Sequence, residues 1–369
     1  MMEMKKIGRE VAFLKTGESN PRNGEGSFVR LRDGSILHAY TEYYGESGED
    51  NATARIACIR SEDEGESWSS PKLLLEKDES AQNYMSVSLI RLPSGELGMF
   101  FLRKAILSSV ASSNGEEVLC MPVFCTSVDE GESWSEPVFC IERLGYYCGI
   151  NDGILLQRNG RLVMAMSSDP EAMIYIVASE DCGRSWYTLG APITLPFSEF
   201  PSGLEEPGLY EHESGELWLY CRTFLGYQYQ SRSADNGKTW SSAIPNLYFS
   251  SPDAPMRVKR IGEYTVAAFN PSACHCLSPS NARRPLVCAV CRDDGASFQN
   301  FTDFTTSAKM KKFSQGLFAV ENDPANTYCY PSMIEVKGGF LIAYYHSEGD
   351  AFPLRATKIT KILFDELEG

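Results

Sequence analysis

An eight-residue pattern returns along this chain, and it limits the possible folds more than any other feature. It reads SEDEGESW at 61–68, SVDEGESW at 127–134, SEDCGRSW at 179–186 and SADNGKTW at 233–240, with a degenerate fifth copy, CRDDGASF, at 291–298. Every copy keeps Asp third, Gly fifth, Ser or Thr seventh and an aromatic eighth, and Trp68, Trp134, Trp186 and Trp240 are four of the chain's five tryptophans. Repetition must be explained before anything else. Locally the pattern predicts a hairpin turn. The Asp accepts hydrogen bonds from N–H groups just ahead of it, and the Gly takes a positive φ without steric cost. The Trp folds its ring back under the turn while its N–H seeks an acceptor. These aspartates are expected to staple turns and to touch no ligand.

A second repeat interleaves with the first. Apolar runs flank a Gly-containing turn in FVRLRDGSILHAY (28–40), VSLIRLPSGELGMFF (87–101), ILLQRNGRLVMAM (154–166), LYEHESGELWLYC (209–221), VKRIGEYTVAAF (258–269) and MIEVKGGFLIAYY (333–345). Each predicts a β-hairpin. The eight-residue patterns fall at the tip of the next hairpin and start 66, 52, 54 and 58 residues apart. Two hairpins per unit make a four-stranded meander, and radial repetition of such sheets removes most exposed edges. The pattern is similar to the Asp-box, S-x-D-x-G-x-[ST]-W, of β-propellers. The fold expected is therefore all-β: one six-bladed propeller over residues 1–369. The last unit has one clear strand after its hairpin, RATKITKILF (355–364), so EVAFLKT (10–16) is expected to supply the outer strand and close the ring.

Composition narrows the partners. A net charge of −15 argues against nucleic acid and anionic membranes, which demand basic surface, but permits a small anionic ligand held by a local Arg cluster. No linker-like tract divides the chain. The two lysines of MMEMKKIGREVAFLKTGES precede no apolar stretch of signal-peptide length, so a cytoplasmic protein with reduced thiols is expected; an N-terminal extension would make it extracellular. Among the 12 cysteines, Cys58, Cys120, Cys125, Cys221 and Cys288 lie in apolar strand runs, where free Cys behaves as a small hydrophobe. Cys274, His275 and Cys276 lack a second ligand pair at zinc spacing, so neither metal nor cofactor is expected.

Propellers bind ligands at one end of the central channel, where the loops leading into the inner hairpins converge. The chemistry-bearing residues there are Arg22 in NPRNGEG, Asp50 in ESGEDNATARIA, Glu205 and Glu206 in GLEEPGLYE, Arg222 in LWLYCRT, Arg283 and Arg284 in NARRPLV, and Tyr330 in TYCYPSM. Asn151 and Asp152 in GINDGI lie at the same end as candidate ligands for hydroxyls or amines. Plainer readings exist for several: a channel-rim ion pair for Arg222 and Glu206, packing for Tyr330, solvated charge for Asp50 and the paired arginines.

Taken together, these residues resemble the sialidase (neuraminidase) superfamily, and the resemblance spans nearly the whole chain. Glu206 lies nine residues before the turn Gly215 and Arg222 seven after it, Tyr330 nine before Gly339, Arg284 nine before Asp293, and Asp50 eleven before Ser61. The resemblance implies a Tyr330 nucleophile assisted by Glu206 or Glu205, Asp50 as acid and base, and Arg22, Arg222 and Arg284 or Arg283 on a substrate carboxylate. Two departures stand out: NPRNGEG replaces the family's Phe/Tyr-Arg-Ile-Pro stretch, and Pro207–Gly208 follow Glu206. The activity implied is retaining exo-hydrolysis of a terminal sialic acid or related 2-keto-3-deoxy acid sugar. Forked arginines suit an anomeric carboxylate, and a neutral Tyr avoids the repulsion a carboxylate nucleophile would meet. A lyase or hydrolase on uronate-containing oligosaccharides, or a non-catalytic sugar-binding propeller, is the alternative.

Overall fold

The six hairpins form the inner strands of six antiparallel meanders in the computed structural model, which describes residues 4–108, 117–169, 171–195, 203–271, 283–298, 316–348 and 354–368. Blade 1 comprises Asn23–Arg30, Ile36–Tyr43, Ala54–Ser61 and Lys72–Leu75; blade 2, Asn83–Arg91, Leu97–Ser108, Glu117–Ser127 and Val138–Phe139. In blade 3 the inner edge is split between Tyr146–Cys148 and Leu155–Leu156, followed by Leu162–Asp169, Met173–Ser179 and Tyr187–Thr188. Blade 4 runs through Glu205–Glu211, Leu217–Arg222, Tyr227–Ser233 and Ile244–Ser250; blade 5 through Arg257–Ile261, Tyr264–Phe269, Leu286–Cys291 and Gly316–Glu321. Blade 6 takes Asn326–Val336, Gly339–Glu348 and Ala356–Leu363 from the end of the chain, and Arg9–Leu14 pairs antiparallel with the last of these. The outer place expected for residues 10–16 is filled in this way.

Continuous apolar runs arise because both faces of each blade are buried. Phe100 and Phe101 are sequence neighbours and both fully buried, yet they point to opposite faces and join different clusters. Phe101 packs with Leu37, Ile56 and Val87 between blades 1 and 2, and Phe100 with Leu162, Met164 and Val177 between blades 2 and 3. Comparable clusters fill the spaces between the other neighbours, including Phe28, Tyr40, Leu341 and Ile359 between blades 1 and 6. Burying each such side chain contributes roughly 1.5–3 kcal/mol. Cys58, Cys125, Cys221 and Cys288 sit inside these clusters, and every described cysteine is a free thiol.

The Asp and Ser or Thr side chains of the Asp-boxes hold their turns as the sequence suggests, whereas Trp186 and Trp240 donate to the box glycine carbonyl and the buried Trp68 and Trp134 N–H groups find no acceptor among the described residues. Ser61 Oγ accepts from Gly65 N (2.8 Å) and donates to Asp63 Oδ1 (2.9 Å), while Asp63 accepts from Ser67 N (2.9 Å) and Ser67 Oγ (2.6 Å). Boxes 127–134, 179–186 and 233–240 repeat this network, and the fifth keeps the Asp293–Ser297 bonds. The residue before each box glycine also takes a positive φ: Glu64 at 58°, Glu130 at 60°, Cys182 at 60°, Asn236 at 61° and Asp294 at 57°. That turn aims the fourth residue at the preceding blade. Glu64 accepts from Lys337 N (2.9 Å), Glu130 from Arg32 N (2.8 Å) and Asp294 from Glu213 N (2.5 Å). A box therefore staples neighbouring blades as well as its own turn.

Strand register sets which end is which. In blade 4 Glu205 stands opposite Arg222 at one end, and Leu217 opposite Ser233, where the box begins, at the other. Boxes and candidate site residues occupy opposite ends of the sheets.

Candidate active site

One backbone device recurs on the inner strands. Their pairing slips between Gly24 and Ser27, Met85 and Ser88, Glu205 and Gly208, and Cys329 and Ser332. Inside each bulge a non-glycine residue lies in the left-handed region: Glu25 (52°), Ser86 (58°), Glu206 (42°) and Tyr330 (55°). Asp152 (56°) does the same between the two short inner segments of blade 3. Such a conformation costs of order 1–3 kcal/mol and persists where surrounding structure enforces it. Bulges re-aim side chains, and here they bring Glu25, Ser86, Glu206 and Tyr330 together.

Tyr330 donates from its hydroxyl to Glu206 Oε1 at 2.6 Å, and Arg222 Nη1 donates to Glu206 Oε2 at 2.6 Å and reaches the Tyr330 oxygen at 3.3 Å. Burial and the Glu206 charge push the Tyr330 phenol well above its usual range, against the pull of Arg222 and Arg283. The proton therefore rests on Tyr330, aimed at a carboxylate ready to take it. Glu205 plays a different part from its neighbour: it pairs with Arg222 Nη2 at 2.6 Å. Burial raises its carboxyl, Arg222 opposing and Glu206 and Asp253 adding to the rise. Asp253, just ahead of the fifth inner strand, lies 2.7 Å from Arg222 Nε. Three carboxylates thus surround one guanidinium.

Arg22 is held by a second cluster. Its Nε donates to Tyr345 Oη (2.8 Å), Nη2 to Glu25 Oε1 (2.8 Å), and Nη1 to Asp50 Oδ1 (2.5 Å) and the Gly48 carbonyl (3.3 Å). Glu25 Oε2 accepts from Ser86 Oγ at 2.6 Å. Burial raises the Glu25 carboxyl, although Arg22 and Ser86 pull it down. Gly24 permits this arrangement, because a Cβ there would stand 2.0 Å from the Tyr345 ring. Burial also works to raise the Asp50 carboxyl, but Arg22, Lys104 and Arg283 outweigh it and hold it below the ordinary range.

The structure separates the paired arginines. Arg283 places its guanidinium 5.7 Å from the Tyr330 ring centroid and donates twice to the Asp253 carbonyl (3.0 and 2.8 Å). For Arg284, which the sequence offsets favoured, the structure gives a through-space electrostatic effect on the Tyr328 phenol. Asn151 and Asp152 are bonded to the scaffold. Asn151 Nδ2 donates to the Gly26 carbonyl (2.8 Å) and the Tyr330 carbonyl (3.4 Å). Asp152 is buried, accepting from Ser27 Oγ (2.8 Å), Lys259 Nζ (2.7 Å) and Met333 N (3.1 Å). These bonds tie the inner strands of four blades beneath the site.

Sequence reasoning missed Glu25, Ser86, Lys104, Asp253 and Tyr345. Asp253 in SPDAP carried the same signal as the residues that were found, a charged group just ahead of an inner strand. Glu25 carried a weaker one, flanking glycines that permit a bulge. Among the described residues no group of three or more His, Cys, Asp and Glu could hold a metal ion; residues 274–276 lie outside the described residues. No helix among the described residues is long and apolar enough to cross a membrane.

Comparison with solved structures places this architecture. A protein of unknown function from Dyadobacter fermentans is 18% identical with a TM-score of 0.72, the match covering 96% of this chain and 99% of that one. The K499G mutant of the NanB sialidase from Streptococcus pneumoniae is 13% identical with a TM-score of 0.70, covering 97% of this chain and 71% of that one. The intramolecular trans-sialidase from Ruminococcus gnavus, in complex with oseltamivir carboxylate, is 14% identical with a TM-score of 0.69, covering 97% and 98%. At these identities the likeness is one of fold. No curated protein sequence matches the chain. The family described as BNR repeat-like domain matches residues 34–343. The chain therefore belongs to the BNR repeat-like domain family and is built as a β-propeller of the sialidase type.

Proposed function

We propose that this protein is a glycoside hydrolase of the sialidase superfamily that removes a terminal sialic acid or related 2-keto-3-deoxy acid sugar with retention of configuration. The observation that carries the reading is the 2.6 Å bond from Tyr330 to Glu206, with Arg222 on the other Glu206 oxygen. In the first step the Tyr330 oxygen bonds to the anomeric carbon as its proton passes to Glu206. The bond to the leaving oxygen breaks, and Asp50 supplies the proton that oxygen needs. In the second step Asp50 takes a proton from water, the water oxygen bonds to the anomeric carbon, and the phenolate leaves and regains its proton from Glu206. Two displacements restore the starting configuration. Arg22 and Arg283 hold the substrate carboxylate, a group that a guanidinium fork matches in shape and charge.

The test is hydrolysis of aryl ketosides of N-acetylneuraminate, its deaminated analogue and the eight-carbon 3-deoxy-octulosonate, with the product anomer read by NMR. At least one is expected to be cleaved with retention, and Tyr330→Phe to lose turnover by on the order of 10³-fold or more. Undiminished turnover by Tyr330→Phe contradicts the mechanism. One observation favours a second reading. Arg222 is ringed by Glu205, Glu206 and Asp253, so it has little capacity left for a substrate carboxylate. A uronate carries its carboxylate away from the anomeric carbon, so Arg222 beside Tyr330 is not called on to hold it. A lyase acting on uronate-containing oligosaccharides would reveal itself by an unsaturated product absorbing in the ultraviolet.

A further inference from the structure

We infer that Asp50 occupies the substrate carboxylate's place on Arg22 in this structure, and that binding exchanges one carboxylate for the other, releasing Asp50 to take up a proton. The inference rests on the acid-sugar reading above and adds a step to it. As the site stands, Asp50 is a poor acid: it is ion-paired to Arg22 at 2.5 Å and held below the ordinary carboxylate range. An acid that must protonate a leaving group has to lose that pairing first.

The geometry says which carboxylate can move. Side-chain exposure is 3% for Glu25, 6% for Asp253, 14% for Glu206 and 24% for Glu205, but 54% for Asp50. Glu25 is pinned by Ser86 and by its bulge. Apart from Arg22, the bonds that anchor Asp50 are to its backbone: Asn83 Nδ2 and Lys104 Nζ donate to its carbonyl at 2.9 and 3.0 Å. Its carboxylate can therefore rotate outward while the loop stays in place. The spot it vacates is cationic. Arg22, Lys104 and Arg283 all bear on it, and among the described residues Arg283 Nη1 has only the weak acceptor Cys329 Sγ at 3.6 Å. Arg222, by contrast, is already surrounded by carboxylates.

Exchange reverses the electrostatics around Asp50. The groups that face it are the cations Arg22, Lys104 and Arg283, the Glu25 carboxylate, the Tyr43 and Tyr146 phenols and the Cys120 thiol. Exchange removes the Arg22 hydrogen bond that helped depress Asp50, and the ligand carboxylate offsets the Arg22 charge. Both changes favour the protonated acid. Substrate binding therefore charges the acid catalyst with its proton, and only a substrate bearing a carboxylate does so.

Calorimetric titration with the 2,3-unsaturated analogue of N-acetylneuraminate, in buffers of different ionisation enthalpy between about pH 5 and 7, counts the protons taken up. Uptake approaching one proton per site is expected, with none for the methyl ester of the same analogue. Asp50→Asn is expected to bind the acid several-fold more tightly, the internal competitor being neutralised, and without uptake. Binding of the acid to the unaltered protein without proton uptake, or uptake that persists in Asp50→Asn, overturns the exchange while leaving the acid-sugar reading standing. Failure of the acid to bind either protein overturns that reading and the exchange with it.

Discussion

Asp63 and Glu206 are both carboxylates on turns of the backbone built with left-handed residues, one at each end of the propeller. Asp63 lies on the exposed Asp-box end, and its partners, Ser61 and Ser67, are within four residues of it. Those bonds hold its carboxyl down to about 2. Glu206 lies in a half-buried bulge, and its partners Arg222 and Tyr330 are 16 and 124 residues away. The same conformational device serves both ends. What differs is where the hydrogen bonds come from. A carboxylate satisfied by its own turn has nothing left to offer a ligand, whereas one whose partners come from other strands exists only because the fold assembled them. Abundance of acidic residues therefore misleads here: the most repeated aspartates are the least chemical.

The comparison can be broken most severely at Glu206. Glu206→Gln keeps the shape but removes the charge that accepts the Tyr330 proton, and kcat should fall by about 10²–10³-fold with the circular dichroism spectrum unchanged. Next comes Arg222→Lys. A single ammonium cannot hold Glu205, Glu206 and Asp253 together as the forked guanidinium does, so kcat/KM should drop by roughly 10–100-fold in the same assay. At the other end, Asp63→Ala should leave turnover within about twofold, while chemical denaturation shows a loss of ~1–2 kcal/mol, the scale of a lost turn-capping side chain. A matching loss of activity would erase the distinction between the two ends.

The smallest effect is one of pH. The Asp63, Asp129 and Asp235 carboxyls are held down to about 2 by their serine or threonine partners. A carboxyl depressed in the folded state stabilises above its unfolded value of about 3.8, and that contribution disappears as pH falls through about 2. The unaltered protein should therefore be more stable than Asp63→Asn at neutral pH, with the gap closing between about pH 4 and 2. Thermal unfolding followed at several pH values measures that gap.

Most of the architecture was legible because its signals are local. A box spans eight residues and a hairpin little more than a dozen, so period and turn chemistry survive in one dimension. Counting from those landmarks led to Asp50, Glu206, Arg222, Tyr330 and Arg284, and position ahead of the first hairpin led to Arg22; Arg22 meets Asp50, and Glu206 meets Arg222 and Tyr330. What could not be counted depended on single-residue backbone events. Glu25 faces Arg22 only because the pairing of the first inner strand slips between Gly24 and Ser27. Arg283 and Arg284 are adjacent, and only the path of the backbone decides which one lies over Tyr330. The positive φ at the fourth place was hidden in three of the five boxes for a related reason, since Glu64, Glu130 and Cys182 give no glycine-like signal, whereas Asn236 and Asp294 do. Asp253 could have been found by the rule that found the others.

The central claim is that Tyr330 attacks the anomeric carbon, and trapping tests it most directly. A 2-keto-3-deoxy acid sugar with fluorine at the anomeric carbon and at its neighbour forms the covalent adduct but loses it slowly, because the second fluorine destabilises positive charge in both steps. Intact-mass and peptide mass spectrometry should find one sugar attached to Tyr330 in the unaltered protein and none in Tyr330→Phe. Turnover of an aryl ketoside with no adduct at Tyr330, or an adduct on a different side chain, would contradict the account.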